Sequence, residues 1–315
     1  CKPYISHTKK AKNLYEYIYE PNNIIMSVEE SQKRKSKNRA VKRFNDDYIN
    51  NCDKIYWMLR NQTYTPGQYT HKTIYERKPR MLSIPPYMPD RIIDHCIINV
   101  LEPIWYSIFV DRTYSCIKGR GIHGCMNAVI NDMRRDMDGT KYALKIDIRK
   151  YYDNIDHTVI KNIIRRRISD NRVLQLLDII IERHGEEKVL PIGRFTSQHL
   201  ANLYLSYFDH HCLEVEKCHY YYRYMDDIVV LSSSKDYLHT LLTHMGLYLA
   251  TELHLEIKDN WQIFPIENRD LDFVGFKMNH DTVLMRKSIL TKFYRKLSRT
   301  RHKYNLQDEH DLHPS

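Results

Sequence analysis

The chain has 315 residues, enough to bury a sizeable core and to form about two domains or one multi-lobed enzyme. Its 49 Lys and Arg against 39 Asp and Glu give a formal charge of +10 and a pI near 9.1, which suits a polyanionic partner without separating nucleic acid from an acidic membrane surface. No apolar run approaches the roughly 20 residues that span a bilayer, and no secretory leader pattern is visible, so a cytoplasmic protein with no membrane partner is expected. The seven Cys, odd in number and without framework spacing, read as reduced thiols. The first residue is Cys1 rather than Met, so the natural start is expected further upstream.

In chain order, Ala11–Tyr19 is predicted as a short helix. The basic run Lys33–Arg39 follows, a solvated face or a phosphate-binding element, and then an amphipathic helix up to Asn61. Pro66-Gly67 marks a turn, Ile74–Ile84 a hairpin and Asp90–Val100 a helix. Lys141–Ile148 reads as a buried strand carrying Asp147 at its end, and Asp156 is placed to cap a helix from His157 to Ser169, with Asp153 also structural. Val159–Ile168 and Val173–Ile181 carry helical spacing, as does Ser197–Val215 with Leu200, Leu203, Tyr204 and Tyr207 inward. His210, His211, Cys212, Cys218 and His219 superficially suggest zinc, but they lack a C-x-x-C pair and read as helix-end histidines beside packed thiols. Tyr220–Arg223 and Ile228–Leu231 are strands turning at Met225-Asp226. Tyr237–Leu253 is a helix, Phe273–Met285 a closing hairpin, and Arg286–Tyr304 a basic helix suited to tracking a duplex backbone.

The chemistry concentrates on Tyr224-Met225-Asp226-Asp227. A bare Asp-Asp pair is usually a solvated turn or a helix cap. Here apolar strands flank it, and a second acidic strand ends at Asp147, so carboxylates from two rigid elements can converge. Phosphoryl transfer by two metals needs such carboxylates, holding ions about 3.5–4 Å apart to activate an attacking hydroxyl and stabilise the leaving group. Asp147 and Asp226 are the expected shared ligands, and Asp227 the outer partner.

From Arg77 to Phe276 the chain resembles the reverse transcriptases. The blocks are Lys78–Pro85, Asp90–Asp94, Tyr114–Gly121, the Asp147 strand, Leu190–Gln198, the Asp226-Asp227 hairpin, Lys258 and Leu271–Phe276, in that order. The resemblance implies an α+β right-hand polymerase with fingers at 1–136, palm at 137–278 and a short helical thumb at 279–315. It implies two Mg2+ ions, with Mn2+ as a substitute, held by Asp147, Asp226 and Asp227 with Ile148 beside them as a further ligand and substrate contact. Arg80 and Arg91 are candidates for the incoming triphosphate, since guanidinium forks match phosphate oxygens, although Arg91 also reads as an ordinary helix-surface residue. Tyr152 occupies the position of an aromatic gate against a ribose 2′ hydroxyl. Gly193 would let the backbone approach the nascent pair, and Ser197 and Gln198 would orient template or nucleotide. Lys258 resembles the candidate general acid for pyrophosphate, and Phe273, Gly275 and Phe276 the primer grip.

Ile192-Gly193-x-x-x-Ser197-Gln198 narrows the resemblance. Group II intron enzymes carry a Gln-Gly-x-x-x-Ser-Pro pattern there, whereas this version resembles the reverse transcriptases of diversity-generating retroelements. That implies copying of a template-repeat RNA into cDNA with frequent errors opposite adenine. The expected partners are template RNA, the RNA/DNA hybrid, dNTPs and a small basic oligomeric accessory protein. Two alternatives stand: another prokaryotic reverse transcriptase of the group II intron, retron or phage-defence type, and a catalytically silent RNA-binding scaffold.

Overall fold

In the computed structural model, which describes residues 10–75, 79–182 and 188–304, helices surround a small antiparallel sheet. The N-terminal part holds α1 (Tyr15–Ile18), α2 (Pro21–Gln32), α3 (Arg39–Asn45), α4 (Tyr48–Arg60) and the hairpin of β1 (Thr70–Tyr75) with β2 (Pro79–Ile84). Then come α5 (Ile92–Tyr106), α6 (Ile122–Arg135), β3 (Tyr142–Asp147), α7 (His157–Arg167), α8 (Asn171–Glu182), α9 (Phe195–Tyr204) and α10 (Ser206–His210). The remainder is β4 (Tyr220–Tyr224), β5 (Asp227–Ser232), α11 (Lys235–Leu253), β6 (Gln262–Pro265), the three short strands β7 (Leu271–Phe273), β8 (Phe276–Met278) and β9 (Val283–Met285), and α12 (Lys287–Tyr304). Among the described residues no helix is long and apolar enough to cross a membrane.

The central sheet has the order β4-β5-β3-β6, with every neighbouring pair antiparallel. Its side chains alternate between two cores. Leu144, Ile146, Tyr221, Ile228 and Val230 join the large core with α5, α7, α9 and α11, while Ala143, Tyr220, Tyr222, Val229 and Leu231 join a smaller one with α6. Because both faces are covered, β5 reads as an unbroken apolar run rather than an alternating one.

Most expected elements are present, with local differences that have physical causes. Asp156 caps α7 as anticipated, its Oδ1 accepting from Thr158 N at 2.9 Å and Val159 N at 3.1 Å. The helix ends at Arg167 rather than Ser169, because Ile168 adopts extended backbone and bridges Ala11. The helix expected over Ser197–Val215 is broken at Leu205 into α9 and α10 and then closes in a π-helical turn, His211–Val215. Within that region Cys212 and Cys218 are buried, and His210 and His211 pair with Glu214 and Glu216. The helices α2 and α6 and the strand β6 were not anticipated.

That break at Leu205 places Asp209 beneath the sheet. Arg223, the one charged residue of β4, is wholly buried and meets it with a two-pronged ion pair, Nε to Oδ1 and Nη2 to Oδ2, both at 2.6 Å. Tyr221 and Thr113 also donate to Asp209, at 2.6 and 3.0 Å. The remaining nitrogen, Nη1, reaches Asn202 Oδ1 at 2.9 Å and Met225 O at 3.0 Å. Substituting Arg223→Met leaves a buried unpaired carboxylate, and the expected cost is about 3–5 kcal/mol of unfolding free energy, read as a lowered urea midpoint. An unchanged midpoint would mean that Asp209 is satisfied without Arg223.

Candidate active site

The acidic turn is built from the strands upward. Tyr224 pairs with Asp227 across β4 and β5, leaving Met225 and Asp226 as the two-residue tip, with Met225 at φ +57° and its carbonyl held by Arg223. Across β3 and β5, Asp147 is directly opposite Asp227. Opposed residues of an antiparallel pair share one face with Cβ atoms roughly 4.5–5.5 Å apart, so Asp227 shares a face with Asp147, while Asp226 stands on the adjoining tip.

The three carboxylates repel one another. Burial, then Asp227 and Asp147, push the Asp226 carboxyl up to about 6, and burial with Asp147 raises Asp227 against the pull of Lys145, Lys258 and Arg286. Lys258 reaches the cluster from the segment before β6, its Nζ 2.5 Å from Asp147 Oδ1 and its backbone N–H donating to Asp147 O at 2.8 Å. As placed, no three His, Cys, Asp or Glu side chains among the described residues close into a metal cage. The donor set nonetheless fits Mg2+: hard carboxylate oxygens whose mutual repulsion a divalent ion would relieve, once it displaces the ammonium from Asp147. The Ile148 side chain is fully buried beside a bridge to Ile257, so only its backbone carbonyl is available as a ligand.

Other expected site residues approach this turn or depart from it. Tyr152, in the 3-10 turn Tyr151–Asn154, directs its hydroxyl to Met225 Sδ at 3.7 Å and so lies against the acidic tip. Gly193 has φ +118°, and a Cβ there would come to 3.0 Å from Ser83 O; the close approach seen is therefore to β2, where Ser83 N also donates to Ile192 O at 2.7 Å. Ser197 is 2% exposed and does not offer its hydroxyl to a template, whereas Gln198 is exposed and accepts from Cys116 Sγ at 3.8 Å. Phe273 is also fully buried, so it anchors the short sheet rather than gripping a primer directly. In the turn that follows it Val274 is half-buried and Gly275 buried, and Phe276 is partly buried and packs near His123. Arg80 belongs to β2, and its side chain lies outside the described residues.

Arg91 sits in an electropositive corner with Lys35 and His95. It and burial depress Lys35, and burial, Arg91 and Lys35 together hold the His95 imidazole down at about 4, so that the ring is neutral and stacks on Phe195 with centroids 4.2 Å apart. The Arg91 Nε is buried without a hydrogen-bond partner among the described residues. Two residues escaped the sequence reading altogether: Arg223, whose signal was a lone charge in an aromatic strand, and Arg194, a fully buried guanidinium inside the Ile192 loop that nothing local betrays.

The raised Asp226 pKa makes a stability prediction. A folded value of about 6 against roughly 4 in the unfolded chain gives stability that is full below pH 4 and lost as the pH rises through 6. Asp226→Asn should therefore stabilise the protein in EDTA at pH 7.5, by about 1–3 kcal/mol, and by almost nothing at pH 4. Equal unfolding free energies for the two proteins at pH 7.5 would contradict this account of the turn.

Comparison with known proteins matches residues 70–278 to the family described as reverse transcriptase (RNA-dependent DNA polymerase). The chain is 26% identical over 219 residues to the group II intron-encoded protein LtrA of Lactococcus lactis subsp. cremoris, covering 64% of this chain and 35% of that protein. It is 31% identical over 148 residues to protein YkfC of Escherichia coli (strain K12), covering 44% of this chain and 38% of the relative. It thus spans only 35–38% of the length of these curated relatives. In structure it is similar to an apo telomerase of Candida tropicalis truncated from the C-terminal domain, with TM-score 0.53 and 14% identity over 76% of this chain and 60% of that one. A telomerase of Candida albicans in complex with a fragment of telomeric RNA gives TM-score 0.52 and 11% identity, over 71% and 46%. These likenesses show the right-hand polymerase fold. Because the matched stretch runs from β1 to β8 and contains all three carboxylates, the chain belongs to the reverse transcriptase (RNA-dependent DNA polymerase) family.

Proposed function

We propose that this protein is an RNA-directed DNA polymerase, adding dNMP units to a 3′ hydroxyl with release of pyrophosphate. The observation that carries the reading is the register that sets Asp147 opposite Asp227 with Asp226 on the adjoining tip. Asp147, Asp226 and the Ile148 carbonyl would hold the Mg2+ ions, with Asp227 alongside; when bound, these supply an activated 3′ hydroxyl and a neutralised leaving group. Lys258 is positioned to pass a proton to departing pyrophosphate. Tyr152 backs the tip as a filter against rNTPs, and half-buried Val274 and Phe276, on either side of Gly275, are the surface for a primer end. Fingers at 1–136 and palm at 137–278 follow from this assignment, as does a thumb from 279. There α12 carries Lys292, Arg295, Lys296 and Arg299 beside exposed Ile289 and Phe293, a face suited to an RNA/DNA duplex. The corner of Lys35 and Arg91 is suited to phosphate oxygens, those of the incoming triphosphate or of the template.

Within the family, the Ile192 loop supports the finer reading: an error-prone enzyme of a diversity-generating retroelement, copying a template-repeat RNA with adenine-directed errors and working beside a small basic accessory protein. The likeness to a group II intron-encoded protein supports a second reading, an intron-type enzyme of ordinary fidelity. Sequencing of cDNA made by the purified protein separates them, since only the first predicts errors concentrated opposite adenine.

Asp147→Asn and Asp226→Asn are each expected to abolish primer extension, by about a thousandfold or more, while RNA affinity stays within about threefold. Extension by either variant at a rate near that of the native protein defeats the two-metal assignment. Ile192→Gln restores a hydrogen-bonding side chain beside the nascent pair, and such a contact is worth about 1–3 kcal/mol of selectivity. Errors opposite template adenine should then fall about tenfold, and more than errors opposite the other bases. Identical error spectra from deep-sequenced cDNA of the two proteins would be evidence against any role for this side chain.

A further inference from the structure

The loop carrying Ile192 is tied to the N-terminal part of the molecule by a side chain as well as by its backbone. Arg194 is wholly buried. Its Nε donates to Asp94 Oδ1 at 2.8 Å, its Nη1 to the Tyr69 hydroxyl and its Nη2 to the Tyr64 hydroxyl, each at 3.0 Å. A second carboxylate, Asp90, lies 3.7 Å from Nη1 and accepts in turn from Tyr64 Oη at 2.9 Å and Gly67 N at 3.0 Å. One guanidinium thus joins three pieces of chain: the segment leading into β1, the start of α5 and the Ile192 loop.

As a stabilising device this is a poor choice. Burial raises the Asp94 carboxyl despite the adjacent guanidinium, and its Oδ2 has no hydrogen-bond partner among the described residues. A buried pair of this kind usually gains little over apolar residues of the same volume, because desolvation offsets the attraction. Its advantage is direction, since a planar fork with donors fixed at three angles admits one placement of the loop. Gly193 is pressed on the Ser83 backbone on one side, and Arg194 is clamped on the other. Ile192 between β2 and the clamp has little freedom left.

We propose that Arg194 is a positioning residue for nucleotide selection, holding Ile192 at a fixed height against the nascent base pair by locking its loop to Asp94, Tyr64 and Tyr69. The inference rests on the polymerase reading above and adds to it a residue remote from the acidic turn. It predicts that loosening the clamp weakens nucleotide binding and changes selectivity more than it slows the chemistry.

The test is single-nucleotide incorporation by the full chain on an RNA template with a DNA primer, comparing the native protein with Arg194→Lys, Arg194→Met and Arg194→Met combined with Asp94→Asn. Lysine keeps the charge and loses the fork. For Arg194→Lys the expected result is a dNTP KM raised about tenfold, kcat lowered no more than about threefold, and a misincorporation frequency changed by about threefold or more. The double variant removes the carboxylate that the guanidinium contacts most closely and leaves Asp90 to Tyr64 and Gly67, so it should regain most of the melting temperature lost in Arg194→Met without recovering the native KM. A folded Arg194→Lys protein with native KM and native misincorporation overturns the proposal. So does a double variant that regains KM together with its melting temperature, since that would make Arg194 a fold-stabilising residue only. A native protein that extends no primer overturns the polymerase reading, and this inference with it; a native protein that extends beside variants of unchanged KM overturns only the role of Arg194.

Discussion

The ion pair between Arg223 and Asp209 is the constraint on which the acidic hairpin depends. A charged side chain in the middle of a buried aromatic strand is tolerable only if every polar atom is met, and here the helix break at Leu205 delivers the carboxylate that meets it. The same guanidinium then has a donor to spare for the Met225 carbonyl, at the point where the chain enters a left-handed conformation. Backbone strain at the tip is thereby held from below, by a group that is itself locked in the core. Tyr221 and Thr113 complete the shell around Asp209 and bring in β4 and the segment before α6.

Above this support the chain assembles like charges. Three carboxylates on one edge of a rigid sheet are unfavourable to each other, and the folded protein tolerates them through neighbouring Lys258, Lys145 and Arg286. Those cations are themselves tethered: Lys258 through its own backbone to β3, Lys145 to the Asp272 carbonyl at 2.5 Å, and Arg286 to the Asp272 carboxylate. Asp272 lies in β7, the strand that leads into the turn carrying Gly275, so the electrostatics of the acidic edge and the placement of that turn are linked through shared residues. The arrangement sacrifices some stability where the three carboxylates converge.

Much of this was legible in the sequence, for reasons that can be named. The paired strands around Met225-Asp226 and the buried strand before Asp147 are dense in β-branched and aromatic residues, so both their type and their acidic ends were readable. Asp156 announced its helix by local capping chemistry. What escaped depends on contacts distant in sequence. The pairing of Asp147 with Asp227 is a matter of register, which no local pattern supplies, and the burial of Ser197 and Phe273 follows from packing against elements far along the chain. Arg194 looked like a variable position within a motif, because its partners Asp94, Tyr64 and Tyr69 lie about a hundred residues away. The end of α7 moved because a strand-like bridge to Ala11 outcompeted one more helical turn.

The contact between Ser83 and the Ile192 loop has a consequence for how this protein can change. It is made from backbone to backbone, through one N–H, one carbonyl and a missing Cβ. The side chain at position 83 takes no part in it; its hydroxyl lies instead 3.2 Å from His71 Nδ1 across the hairpin, so a substitution there alters the β1–β2 contact while the distance from the loop stays the same. Only proline at that position, which removes the donor, or any residue other than glycine at 193 would alter the spacing. Drift in the hairpin and change at Ile192 are thus separated, and exposed side chains of β1 and β2 can be retuned without moving the Ile192 loop.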